Sequence, residues 1–170
     1  MTKIKIVKLN KNEINEVAKI ASQSFSGLKE IKNAKKWVLG NFLNYPRFQY
    51  FVALGTPKPK AKTTKKQIAG YVLWQEKGGF RKESVWELEQ ITVAEKFRGQ
   101  GIAKKLILES LAEIKKYLAK RGSKLKLIEV TTATDNKAKE LYKQTLGAES
   151  ECIVKDLFRG DEIIMIARLK

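Results

Sequence analysis

Arg98-Gly99-Gln100-Gly101-Ile102-Ala103 is the stretch that decides the reading of this chain. Ile91 to Val93 is an apolar strand that runs into it, and a long amphipathic helix runs out. A strand, a glycine turn and a helix start gather free backbone N–H groups and the positive end of a helix dipole at one point. That combination makes an anion site, most often a phosphate site. Gly99 and Gly101 let the backbone approach the anion with no Cβ in the way. A Walker loop needs G-x-x-x-x-G-K-[ST], which the chain lacks. A dinucleotide fingerprint needs G-x-G-x-x-G, and Lys104 stands where its third glycine should be. It also needs an acidic residue closing the next strand, which here ends Val130-Thr131-Thr132.

Working outward, Ser84 to Val93 reads as the strand that delivers the chain into the turn. A helix over about 101–121 leaves it, with Ala103, Leu106, Ile107, Leu111, Ile114 and Leu118 on one face and lysines and glutamates on the other. Leu125 to Thr132 is a dense apolar strand of the kind buried on both faces in a parallel arrangement. Strand, turn, helix and strand form a βαβ unit, which crosses over right-handed. Upstream, a strand at 3–9, helices at about 11–24 and 29–44, and strands at 48–54 and 67–76 are predicted from period and from Asn, Gly and Pro punctuation. Downstream, Thr134 or Asp135 is expected to cap a helix through Leu146, followed by strands at about 148–157 and 162–169. Residues 55–66 are basic, proline-interrupted and free of large apolar side chains, and read as a flexible loop.

The chain has 170 residues and suits one domain with its own core. It carries 35 Lys and Arg against 18 Asp and Glu, a net charge of +17. Such a charge reads as a lysine-coated surface or as a match for a polyanion such as RNA, DNA or a tRNA-linked substrate. The lack of any histidine rules out Ser-His and Cys-His engines and histidine-ligated metals, and the single Cys152 rules out an internal disulfide and a cysteine metal cluster. Acid–base work falls to Glu, Asp, Tyr, Lys or water. No apolar run is long enough to span a membrane, and the N-terminal residues alternate like a strand rather than forming a signal block, so a cytoplasmic location is expected.

The hexapeptide fits R/Q-x-x-G-x-G/A, with Arg98, Gly101 and Ala103 in the matching places. It resembles the acetyl-CoA diphosphate loop of the GCN5-related N-acetyltransferase (GNAT) superfamily. The order β-α-α-β-β-β-α-β-α-β-β resembles that fold along essentially the whole chain. So does Asn136-x-Ala138-x-x-x-Tyr142 followed by Leu146-Gly147-Ala148, where Ala148 replaces the family's usual aromatic. The resemblance implies an α/β fold with a mixed, mostly antiparallel sheet of about seven strands flanked by about four helices. It implies direct transfer of an acetyl group from acetyl-CoA, as co-substrate and without a metal, to an amine of a protein or small molecule. It assigns Arg98, Gly99, Gln100, Gly101, Ile102, Ala103 and Lys104 to the diphosphate, and Asn136 to the pantetheine arm. The backbone around Ile91, Thr92 and Val93 would face the thioester, and Tyr142 would be the acid beside the sulfur.

Glu87 and Glu89 lie on one face of the strand feeding the turn. Counted back from the loop, Glu87 stands where histone-type members carry their general base, and Glu89 is the neighbour other members use, often through water. Two close carboxylates raise the pKa of one of them, which suits a base. The alternative is that both pair with lysines across the hairpin. A tRNA-linked amine as acceptor, and a non-catalytic acyl-CoA- or nucleic-acid-binding module, remain open beside the enzyme reading. Monomer and homodimer are not distinguished by these residues.

Overall fold

The computed structural model describes residues 4–55 and 67–169. Its strands are β1 (Ile4–Lys8), β2 (Phe48–Gly55), β3 (Gln67–Lys77), β4 (Glu83–Val93), β5 (Lys124–Ala133), β6 (Glu149–Val154) and β7 (Glu162–Arg168). Its helices are α1 (Ile14–Ser24), α2 (Ile31–Leu43), α3 (Ile102–Lys120) and α4 (Ala138–Leu146). The strands form a seven-stranded sheet in the order β1-β2-β3-β4-β5-β7-β6. The β4–β5 pair is parallel, as the βαβ reading requires, while β1–β2, β5–β7 and β6–β7 are antiparallel. Element number, kind and order agree with the sequence reading.

The differences are local. Lys11–Glu13 forms a 3-10 turn ahead of α1, because the Glu13 carboxylate accepts the Asn10 N–H at 2.9 Å and tightens the entry. The last helix is not capped by Thr134 or Asp135. Asn136 does it: its side-chain oxygen accepts the Ala138 N–H at 2.9 Å. Strand β6 ends at Val154, short of 157, where the chain turns through Asp156 at φ 50. Of the loop expected at 55–66, Gly55 closes β2 and the remainder lies outside the described residues.

The chain divides into two compact units, one built from residues up to Leu73 with Gln90–Ser110, the other from Trp74–Glu89 with residues from Leu111 on. In the first unit the α1 stripe Ile14, Val17, Ala18 and Ala21 is buried together with Ala34 and Val38 of α2 and with Tyr50, Val52, Ile68, Tyr71 and Leu73 of the strands. Removing this much apolar surface from water is the main stabilising term. Glu16 of α1 accepts the N–H of Ile68, the second residue of β3, at 3.0 Å, which ties helix to strand. Trp37 and Tyr45 are 43% and 55% exposed. The buried face of α2 is filled by the small Ala34 and the branched Val38 instead.

In the second unit Trp74 and Trp86 are fully buried. Glu76 is buried with them. Its carboxylate accepts hydrogen bonds from the Arg121 guanidinium and, at 2.6 Å, from the Ser84 hydroxyl. Arg121 also stacks on Phe80 and Tyr117, at 5.0 and 5.1 Å from the ring centres. A buried carboxylate of this kind is tolerated because every strong acceptor site is met; taking away Arg121 would cost about 3–5 kcal/mol.

Candidate active site

The glycine turn belongs to the first unit. Val93 ends β4, Glu95–Phe97 makes one 3-10 turn anchored by the buried Phe97, and α3 begins at Ile102. Gly99 and Gly101 both sit at φ 72, in the left-handed region that favours glycine, and a Cβ on either would meet no neighbour within 4 Å. The Arg98 N–H is bonded to the Glu95 carbonyl, and the Lys105 N–H to the Gly101 carbonyl. Between them, the N–H groups of Gly99, Gln100, Gly101, Ile102, Ala103 and Lys104 have no acceptor among the described residues. Six consecutive donors without an acceptor stand at the head of a 19-residue helix, a cradle of the kind that can take an anion.

The side chains around this cradle divide by exposure. Arg98, Gln100 and Lys104 are exposed, with the Arg98 Nε–H donated to the Val93 carbonyl at 3.0 Å. Ile102 is buried, so it offers only its backbone. Lys105 turns away: its ammonium donates to the Ile4 carbonyl of β1 at 2.6 Å.

The end of β4 is arranged by parity. The Ala94 N–H bonds the Ala69 carbonyl at 2.8 Å, so even-numbered residues aim their backbone groups at β3. Ile91 and Val93 therefore aim theirs at the opposite edge. The parallel ladder with β5 ends at Glu87↔Glu129, whereas β5 pairs with β7 as far as Ala133↔Glu162. Thr92 itself faces α1, where its hydroxyl and that of Ser24 lie 2.8 Å apart. On the β3 side the two backbones come very close: a Cβ on Gly70 would lie 2.5 Å from the Thr92 carbonyl oxygen. Gly70 is what allows the strands to approach here.

The carboxylates and Tyr142 belong to the second unit. Glu87 and Glu89 share the less buried face of β4. The Lys77 ammonium lies 3.3 Å from Glu87 and 2.7 Å from Glu129 of β5. Thus Glu87 does pair with a lysine across the hairpin. Glu89 has no ion pair among the described residues, and burial, then the nearby Glu87 charge, raises its pKa above the ordinary carboxylate value, against the pull of Lys77. Of the two candidates, Glu89 is the one with no ion pair among the described residues and with a raised pKa. Glu129 and Lys77 escaped the sequence reading; the only available signal was the strand spacing that places Glu129 opposite Glu87.

Tyr142 is buried on α4, and burial pushes its phenol up to about 12. It holds its proton throughout the physiological range. Asn136 uses both ends of its amide: the oxygen on Ala138, the nitrogen donating to the Thr132 hydroxyl at 2.8 Å. Among the described residues no cluster of three His, Cys, Asp or Glu could hold a metal ion, and no helix is long and apolar enough to cross a membrane.

The sequence profile of the acetyltransferase (GNAT) family matches residues 14–148. No curated protein matches the chain. Among solved structures, Arabidopsis thaliana NAA60 in complex with acetyl-CoA is similar at TM-score 0.75 and 16% identity, covering 98% of this chain and 99% of that one. The NatC complex bound to Gag peptide and CoA contains a chain similar at TM-score 0.74 and 17% identity, with 99% of each covered. The spermidine/spermine N-acetyltransferase SpeG from Vibrio cholerae is similar at TM-score 0.69 and 18% identity, covering 96% of this chain and 92% of that one.

Proposed function

Because the chain belongs to the acetyltransferase (GNAT) family, we propose that it transfers an acetyl group from acetyl-CoA directly to a primary amine. The observation that carries this reading is the run of acceptor-free N–H groups from Gly99 to Lys104. A diphosphate fits that run: two glycines keep it clear of side chains, and the exposed Arg98 and Lys104 add positive charge beside it.

Acetyl-CoA supplies an acyl group activated as a thioester. The protein's own residues do the rest. The N–H groups of Ile91 and Val93, turned away from β3, are the main-chain donors available to polarise a carbonyl oxygen. Glu89 takes a proton from the acceptor ammonium onto a carboxylate oxygen, leaving a neutral amine to attack. Burial, and then the Glu87 carboxylate beside it, holds the Glu89 pKa up. The Tyr142 phenol, neutral and buried, donates its proton to the departing sulfur. Asn136, fixed by Thr132 and by the start of α4, is the candidate for the pantetheine amides.

Titration calorimetry with acetyl-CoA tests the cradle; heat of binding is expected, and none at millimolar ligand ends the reading. A panel of amines scored by CoA release then tests transfer, and tight binding with no release for any amine would leave a non-catalytic acyl-CoA-binding module. The net charge of +17 suits a lysine-coated surface and also an alternative acceptor, the amino group of an aminoacyl-tRNA. Steeply salt-dependent tRNA binding is expected under that version, and none at low salt dismisses it.

A further inference from the structure

Three strands of the second unit bring one lysine and three glutamates to a single face. Lys77 ends β3, Glu87 and Glu89 follow one another along that face of β4, and Glu129 stands opposite Glu87 on β5. On β7 the residues of this face are Glu162, Ile164, Ile166 and Arg168, paired with Ala133, Thr131, Glu129 and Leu127. The two charged ones stand at the ends of the strand, and the Arg168 guanidinium donates to Glu151 at 2.9 Å. Two carboxylates directly opposite on adjacent strands repel one another. Here the Lys77 ammonium lies between them, 2.7 Å from Glu129 and 3.3 Å from Glu87. Side-chain exposures of 12% for Glu87 and 19% for Glu129 mean that water screens the arrangement only in part. The carboxylates in turn hold the lysine as an ammonium: their pull outweighs burial, the largest single influence, and its pKa is raised.

We propose that Lys77 is a positioning residue of the transfer site: by tying Glu87 to Glu129 across three strands it leaves Glu89 as the carboxylate that receives the acceptor's proton. The inference rests on the acetyl-transfer reading above and adds a residue to it. Lys77 touches no reacting atom. It acts on Glu89 in two ways. Its ammonium keeps the Glu87 side chain engaged on the β5 side, and its charge offsets the negative field that Glu87 imposes on Glu89. Without it, Glu87, Glu89 and Glu129 would share one face with no cation paired to any of them among the described residues, and Glu89 would stay protonated to higher pH.

The test uses the full chain, labelled with carbon-13 at the glutamate carboxyls, with the Glu89 resonance assigned by its loss in Glu89→Gln. Lys77→Met is expected to raise the Glu89 titration midpoint by about one pH unit or more. Lys77→Arg is expected to leave it near the wild-type value. Lys77→Gln, which keeps a polar side chain, serves if the methionine variant does not fold. In parallel, the acid limb of kcat/KM against pH should move by the same amount as the midpoint, and return in Lys77→Arg. A midpoint that stays put in Lys77→Met and Lys77→Gln overturns the assignment of Lys77. A midpoint that moves while the acid limb does not overturns it too, because Glu89 is then not the base. Failure of the wild type to bind acetyl-CoA is a separate result, read by calorimetry, and removes the acetyl-transfer reading itself.

Discussion

The glycine turn and the acidic face solve two chemical problems with different materials. The turn is built of main chain. Its donors are backbone N–H groups, and its key side chains are the ones missing at Gly99 and Gly101. The acidic face is built of side chains from three separate strands, Lys77, Glu87, Glu89 and Glu129, whose properties depend on which of them meet. A main-chain site is written into six consecutive residues. A side-chain site of this kind exists only once the strands have paired.

If the comparison is right, substitutions at the acidic face change chemistry, and substitutions at the turn change binding. Glu89→Gln should have the largest effect, lowering kcat/KM about 1,000-fold with little change in acetyl-CoA affinity. The pH dependence has a definite sign. A base must be deprotonated to act, and the Glu89 pKa is raised, so wild-type kcat/KM should fall as pH drops through a value above the ordinary carboxylate range. That limb should vanish in Glu89→Gln and persist in Glu87→Gln. The reverse pattern would return the role of base to Glu87.

Next in size, Tyr142→Phe should lower kcat about 100-fold, as loss of a general acid does, while calorimetry shows near-normal acetyl-CoA binding. With a phenol held at about 12, the basic side of the profile should show no loss from its ionisation below that value. Wild-type turnover in the phenylalanine variant would reduce Tyr142 to packing. Gly101→Ala should weaken acetyl-CoA binding about tenfold, since an L residue at positive φ costs about 1–2 kcal/mol. Because a Cβ there meets no neighbour within 4 Å, the cost is conformational, and kcat at saturating substrate should hold. A fall in kcat instead of affinity would erase the division between the two regions.

Gly70→Ala is the smallest change and sharpens the boundary. Its Cβ would lie 2.5 Å from a backbone oxygen that cannot swing aside, so β3 and β4 must part. Overpacking of this kind costs about 1–3 kcal/mol, a fall in Tm of a few degrees for a chain of this length. Calorimetric melting checks it; an unchanged Tm would mean that the strands yield freely at Thr92.

The same contrast explains what the sequence could show. The β4–turn–α3–β5 unit was legible because an apolar strand, two glycines and a helical stripe occur in one continuous run. Asn136 and Tyr142 were legible as a spaced pair, one just ahead of α4 and the other on it. Glu129 was not, because in sequence it is one charge inside an apolar strand, and only the parallel register puts it opposite Glu87. Lys77 and Glu76 both close β3, yet one is half-exposed between carboxylates and the other is sealed under Arg121. That choice is made by pleat direction and by an arginine 45 residues away, which local pattern does not encode.

The parity of β4 carries one more consequence. Under the acetyl-transfer proposal the group that matters at Ile91 is an amide hydrogen, which nineteen of the twenty amino acids possess alike. Replacement of this side chain by alanine, serine or asparagine should therefore be forgiven by the chemistry, within what packing permits. Proline alone would silence the position, and it would do so without altering a single charge.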